Sequence, residues 1–161
     1  MTQLEIERKY IIRKPAILKD LERVAIRQTY LTSPKGTRRV RSWEKDGVKK
    51  YYFTHKKRIS ALSCEETERE ITENEYLEWM RQADPSRSTI MKTRYFYPFE
   101  GQMFEIDEYP FWQKQCVMEV ELTDETQAVL LPADIEIVRE VTADKAYKNF
   151  ALAKAVPEEL I

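Results

Sequence analysis

Glycine, histidine and cysteine are scarce in this chain, and each scarcity removes a class of chemistry. Only three glycines occur among 161 residues, and each sits in a turn setting: Pro34-Lys35-Gly36, Asp46-Gly47 and Glu100-Gly101. A glycine loop that cradles phosphate with backbone amides is therefore not this chain's method. The single histidine, His55, leaves no Ser/His/Asp or Cys/His arrangement. It alternates with Lys56 and so reads as a surface or packing residue. Cys64 and Cys116 form no CxxC pair and read as small buried thiols, not as a disulfide framework. No apolar run approaches the roughly 20 residues needed to cross a bilayer, and the N-terminus has no apolar signal stretch, so a cytoplasmic location is expected. A net charge of -1 and a pI near 6.0 provide no global attraction to nucleic acid or to a membrane surface.

What the chain does have is charge, 34% of its residues, placed with a period of two. Glu5, Glu7 and Lys9 begin the series. Arg39 and Arg41, Lys56, Glu68 and Glu70, Lys92 and Arg94, Glu105 and Asp107, and Glu119 and Glu121 continue it. A two-residue repeat puts side chains on one face of a strand. The alternate positions are apolar in most of these segments: Leu4 and Ile6, Val40, Tyr51 and Phe53, Phe104 and Ile106, Val120 and Leu122. Half-buried sheets with a solvated charged face would have to be invoked for nearly every strand. A closed barrel with a charged lumen and an apolar outer wall covered by helices explains the pattern with one assumption. A lumen mixing carboxylates with Arg and Lys suits a highly charged anion accompanied by divalent cations.

Alternation and turn signals predict eight strands at about 3–12, 25–32, 37–45, 48–58, 63–72, 89–99, 102–109 and 115–122 in a single domain spanning the chain. Asp46-Gly47 and Glu100-Gly101 make hairpins of the third strand with the fourth and the sixth with the seventh. Pro15 opens a helical pattern through Ile17, Leu18, Leu21 and Val24. Thr72 and Glu75 form a capping box for a helix whose Tyr76, Leu77, Met80 and Ala83 share a face. Asp124 is expected to cap a short helix reaching Leu131, and Thr142 to start a C-terminal helix carrying Ala146, Tyr147, Phe150 and Ala151.

The motifs resemble those of the CYTH superfamily, the triphosphate tunnel metalloenzymes. Glu5-Ile6-Glu7-Arg8-Lys9 matches the ExExK signature. The resemblance continues through Gln28-Thr29-Tyr30-Leu31, Arg39-Val40-Arg41, Thr54-His55-Lys56, Glu68-Arg69-Glu70, Lys92-Thr93-Arg94, Glu105-Ile106-Asp107 and Glu119-Val120-Glu121. Val141 to Asn149, with Leu152-Ala153, resembles the family's closing helix. The resemblance covers nearly the whole chain in order and implies an eight-stranded antiparallel β-tunnel covered by helices.

It also implies roles. Arg39, Arg41, Lys56 and Arg94, with Lys9 and Lys92 beside them, bind the substrate's phosphates, arginine by planar forks and lysine as a point charge. Glu7, Glu119 and Glu121 hold a principal Mg²⁺ or Mn²⁺, while Glu5, Glu68 and Glu70 serve a second metal or the attacking water. Asp107 is grouped with the metal ligands, and Glu105 and Asp107 are alternatively positioners of Arg and Lys. Lys9 joins Glu5, Glu68 and Glu70 as a catalytic residue. Eight luminal acids against six bases leave a charge of about -2, which two divalent ions would reverse. The expected activity is metal-dependent hydrolysis of a triphosphate such as tripolyphosphate, ATP or thiamine triphosphate. A class IV adenylate cyclase is the alternative, ranked lower because no segment clearly forms an adenine pocket. A nucleic-acid-binding barrel, suggested by the basic and aromatic residues from Lys49 to Arg58, is disfavoured by Glu65, Glu66, Glu68 and Glu70 on the next strand. The apolar outer wall leaves room for a homodimer.

Overall fold

A computed structural model describes residues 2–161. Nine strands form: β1 (Thr2–Arg13), β2 (Glu22–Leu31), β3 (Thr37–Lys45), β4 (Val48–Arg58), β5 (Ser63–Ile71), β6 (Ile90–Phe99), β7 (Gln102–Glu108), β8 (Gln115–Glu121) and β9 (Ile137–Glu140). The first eight match the expected strands. They run antiparallel in the order β5-β4-β3-β2-β6-β7-β8-β1, and β1 closes the barrel by pairing with β5. Both expected hairpins have two-residue loops with positive φ at both positions, Asp46-Gly47 and Glu100-Gly101. That backbone twists with the flanking strands and so fixes their register.

Sequence periodicity did not reveal β9, which at four residues is too short to show one. It pairs with β1 at Tyr10, Ile11 and Ile12, whereas β5 pairs with β1 at Thr2 to Ile6. One edge of β1 is thus shared by two partners in succession.

The apolar core lies outside the barrel wall. Ile6, Ile12, Phe104, Ile106, Met118 and Val120 on the outer faces of β1, β7 and β8 pack with Leu18 and Ile135. On the other side, Leu31, Val40 and Ile71 pack under Tyr76, Trp79 and Met80 of α1 (Glu73–Met80). The Thr72–Glu75 capping box forms as expected. Leu77 is exposed instead of packed, and Trp79 takes the inward position.

Helices supply only part of the cover, which corrects the expectation. The segment after Pro15 is a single 3-10 turn, Ala16–Asp20, that runs directly into β2. No helix forms between Asp124 and Leu131. The Asp124 carboxylate accepts from the backbone N–H and hydroxyl of Thr126, a local turn that competes with helix. Thr142 does not start a helix; its hydroxyl accepts from the Lys9 N–H at 3.0 Å. Asp144 instead caps the 3-10 turn Lys145–Tyr147, and the extended backbone of Lys148 separates that turn from α2 (Asn149–Leu152). This C-terminal strap packs through Tyr147 and Leu152 with Ile11, Tyr30, Ile90, Tyr109 and Val117, an apolar cluster at one end of the barrel.

Candidate active site

Directly opposed residues of an antiparallel pair point to the same face, so the registers fix what lines the lumen. Glu7 opposes Glu121 and Lys9 opposes Glu119. Glu119 opposes Glu105, and Asp107 opposes Arg94. Arg39 opposes Thr54, which opposes Glu68; Lys56 opposes Glu66, and Cys64 opposes Glu5. Seven of the eight barrel strands turn charged side chains inward, and β2 turns Gln28 and Tyr30 inward between them.

Strand order then sorts the charges. Carboxylates come from β7, β8, β1 and β5, which are contiguous, and cations come mainly from β4, β3 and β6 with the uncharged face of β2 between them. The lumen is divided into an acidic arc and a basic arc. Strand β3, carrying Arg39 and Arg41, lies four strands from β8 in either direction and so faces Glu119 and Glu121 across the barrel. A cavity of about 480 Å³ separates them, lined by residues of both arcs.

Ion pairs close the seams between the arcs. At one seam Lys56 contacts Glu5 at 2.8 Å and Glu66 at 3.3 Å, while Arg41 and Thr54 hold Glu68 at 2.7 and 2.8 Å. At the other, Arg94 bonds Asp107 at 2.8 Å and Glu105 at 2.8 Å, and Lys92 bonds Asp107 at 2.8 Å. Within the acidic arc Lys9 reaches Glu119 at 3.3 Å. The arc centres lack such neutralisation. Among the described residues, Arg39 has no carboxylate within ion-pair distance, and neither Glu7 nor Glu121 has a cation. The Nε atoms of Arg39 and Arg41 are buried without a hydrogen-bond partner.

Proton affinities reflect this arrangement. Burial, then the neighbouring Glu119 carboxylate, pushes Glu7 up to about 8. Burial raises Glu121 too, reinforced by Glu5, Glu105 and Glu66. Glu119 is also buried, but Lys9 and Arg94 outweigh the burial and hold it well below the usual carboxylate range. Burial and Arg39 bring Arg41 down to about 10, still charged at neutral pH.

Eleven of the sequence-predicted residues converge on the one cavity: Glu5, Glu7, Lys9, Arg39, Arg41, Lys56, Glu68, Arg94, Glu105, Glu119 and Glu121. Three others do not line it. Asp107, grouped above with the metal ligands, is 1% exposed, with both carboxylate oxygens taken by Arg94 and Lys92. Its oxygens hold Arg94 and Lys92 instead of facing the cavity. Lys92 is correspondingly committed to Asp107, and burial pushes its amine down to about 7. Glu70 opposes Tyr52 in register but is exposed beyond the cavity. Glu66 is the carboxylate that lies next to Glu68 in the lumen, and its place in the Glu66–Glu68–Glu70 alternation was the available signal. Lys145, Lys148 and Asn149 also line the cavity. They come from the strap, where no strand periodicity marks them.

A hard divalent cation suits the donors present: Glu7 and Glu121 are adjacent across β1 and β8, all-oxygen and uncompensated, with Glu119 beside them. Among the described residues no three acidic side chains already form a metal-ligating group. The chemical fit therefore lies in the donor set and in the crowding that holds a proton on Glu7. Both cysteines are free and buried, and no helix among the described residues is long and apolar enough to cross a membrane.

No protein-family model matches the chain. It is 34% identical over 157 residues to an inorganic triphosphatase of Nitrosomonas europaea, covering 95% of this chain and 99% of that protein. An inorganic triphosphatase of Acetivibrio thermocellus is 35% identical over 155 residues, covering 93% of each. Among solved structures, the crystal structure of an inorganic triphosphatase superposes with a TM-score of 0.60 at 32% identity, covering 96% of this chain and 97% of that one.

Proposed function

The chain belongs to the CYTH-type inorganic triphosphatase family, and from that membership we propose that it hydrolyses inorganic triphosphate in its lumen with the help of Mg²⁺ or Mn²⁺. One observation carries the reading: an arginine on β3 without an ion-pair partner faces carboxyl groups on β8 and β1 that also lack one, across the cavity. A polyanion and divalent cations placed between the two arcs would satisfy both at once.

In this reading Arg39, Arg41, Lys56 and Arg94 bind the phosphate oxygens, and Lys9 stabilises charge developing near Glu119. Arg94 is oriented by Asp107, and Arg41 by Glu68. Glu7, Glu119 and Glu121 would hold the divalent cation, which when bound neutralises phosphate oxygens and polarises water. Glu5 and Glu68, fixed by Lys56 and by Arg41 with Thr54, orient the attacking water. The water oxygen bonds to the terminal phosphorus, the bridging P–O bond breaks, and pyrophosphate and orthophosphate leave. Glu70 is given no part, because it lies outside the cavity. A cytoplasmic location agrees with the two free thiols.

The test is to incubate the protein with tripolyphosphate, ATP or thiamine triphosphate, each with Mg²⁺ or Mn²⁺, and to identify the products. Tripolyphosphate should yield orthophosphate and pyrophosphate faster than either organic substrate reacts. Cyclic AMP with pyrophosphate from ATP as the main products would make the protein a cyclase, and no turnover of any of the three would remove the catalytic reading.

A further inference from the structure

The strap contributes a cation that the barrel wall does not. We propose that Lys148 is a phosphate-binding residue of this site, holding one end of the substrate from above the lumen; the assignment rests on the triphosphatase reading. Lys9, Arg41, Lys56 and Arg94 each have a carboxylate within ion-pair distance. Lys148 lines the same cavity, is half-buried, and has no such carboxylate among the described residues. Among the described residues, Arg39, Arg58, Lys145 and Lys148 are the cavity-lining cations without such a carboxylate, and of the two on the strap Lys148 is the one not exposed to solvent.

Its position is fixed from both sides. Tyr147 is buried in the apolar cluster at the barrel end, and its carbonyl accepts from Lys9 Nζ at 3.4 Å. Asn149 is buried and its Oδ1 accepts from the Tyr109 hydroxyl at 2.6 Å. Extended backbone at Lys148 itself separates the two anchored turns. A flexible surface lysine would avoid the cations already in the lumen; this one is held beside them. Such convergence of like charges is unfavourable until an anion joins them.

The experiment compares Lys148→Gln, Lys148→Arg and the control Lys154→Gln, the last on the same strap but exposed and outside the cavity. Initial rates of orthophosphate release should show KM for tripolyphosphate raised about tenfold in Lys148→Gln, with kcat within about twofold, since binding is lost while the reacting centre is intact. Lys148→Arg should restore most of the affinity, and Lys154→Gln should match wild type. An unchanged KM in Lys148→Gln, or a Lys148→Arg variant as weak as Lys148→Gln, overturns the assignment. If wild type itself does not hydrolyse tripolyphosphate, the functional reading fails. Lys148 is then judged by tripolyphosphate-induced thermal stabilisation: equal shifts in wild type and Lys148→Gln reject it, and a smaller shift in the variant supports it.

Discussion

Strands β7, β8, β1 and β5 line one half of the lumen with carboxylates, and β4, β3, β2 and β6 line the other with cations and neutral groups. The two halves bear confinement differently. Guanidinium groups stay charged when buried, so the basic arc keeps a fixed charge even where Arg39 and Arg41 leave donors unpartnered. Carboxylates can yield: crowded together and desolvated, the acidic arc retains a proton on Glu7 up to about pH 8. The basic arc therefore keeps its positive charge at neutral pH. The acidic arc is adjustable, because its charge varies with pH.

The largest effect should come from removing the cation. With the acidic arc uncovered, a polyanion meets repulsion opposite the arginines, so EDTA should abolish triphosphate hydrolysis and Mg²⁺ or Mn²⁺ should restore it. Full turnover in metal-free buffer would remove the need for any pairing of the arcs.

Next is the basic arc alone. Arg39→Ala deletes the central cation, and loss of a charge-assisted phosphate contact in a water-poor site should lower kcat/KM by about 10²- to 10³-fold. Its melting temperature should change by only a few degrees, because Arg39 has no ion-pair partner to lose and its attraction to Tyr30, Glu5 and Glu66 is set against repulsion from Arg41. A variant that unfolds instead would show that the arc is structural first.

The seams should behave in the opposite way. Asp107→Asn leaves Lys92 and Arg94 buried without the carboxylate between them and offers one acceptor oxygen where three hydrogen bonds were accepted. Breaking a buried ion pair costs about 3–5 kcal/mol, so urea unfolding should show a loss of that order. A change under about 1 kcal/mol would mean that the seam does not hold the arcs together.

The smallest effect is a pH slope. Glu7 has an ordinary value of 4.5 but about 8 in the fold. Between pH 5 and 7 the folded state holds a proton that the unfolded chain has released, so stability must fall as pH rises. Lys92, brought down to about 7, and Lys148, brought down to about 8, act in the reverse sense only above that window. Metal-free protein should therefore melt a few degrees lower at pH 7 than at pH 5, and saturating Mg²⁺ should flatten the difference. A metal-free melting temperature that rises through this window would show that Glu7 is ionised and the acidic arc is not adjustable.

Much of this was legible in the chain itself. Alternation located all eight barrel strands, because a strand with one charged and one apolar face cannot slip register by a residue without exchanging the two. The same alternation placed Glu5, Glu7, Arg39 and Glu119 in one lumen. It could not distinguish Glu70 from Glu66, since phase fixes the face and not the height along the barrel. Nor could it show that Asp107 is sealed by both Arg94 and Lys92: the Glu100-Gly101 hairpin makes β6 and β7 neighbours, but alternation does not show that Lys92 reaches diagonally to the carboxylate that Arg94 opposes. The division into arcs follows from strand order, which is a property of closure, and Lys148 lies on an irregular segment with no period to read.

The sharing of β1 between β5, β8 and β9 governs the order of events in folding. The hairpins β3–β4 and β6–β7 can form locally on a microsecond timescale. The first strand has no partner nearby in sequence: Thr2 to Ile6 can pair with β5 once that strand exists, but Glu7 to Arg13 must wait until β8 and β9, near the far end of the chain, have left the ribosome. Until then its apolar face and its β8-facing edge are unmatched, together with the complementary edge of β8. Barrel closure is thus a late, long-range step with a large loop-closure cost, and a nascent chain truncated before Gln115 should remain an open, association-prone sheet however well its hairpins are formed.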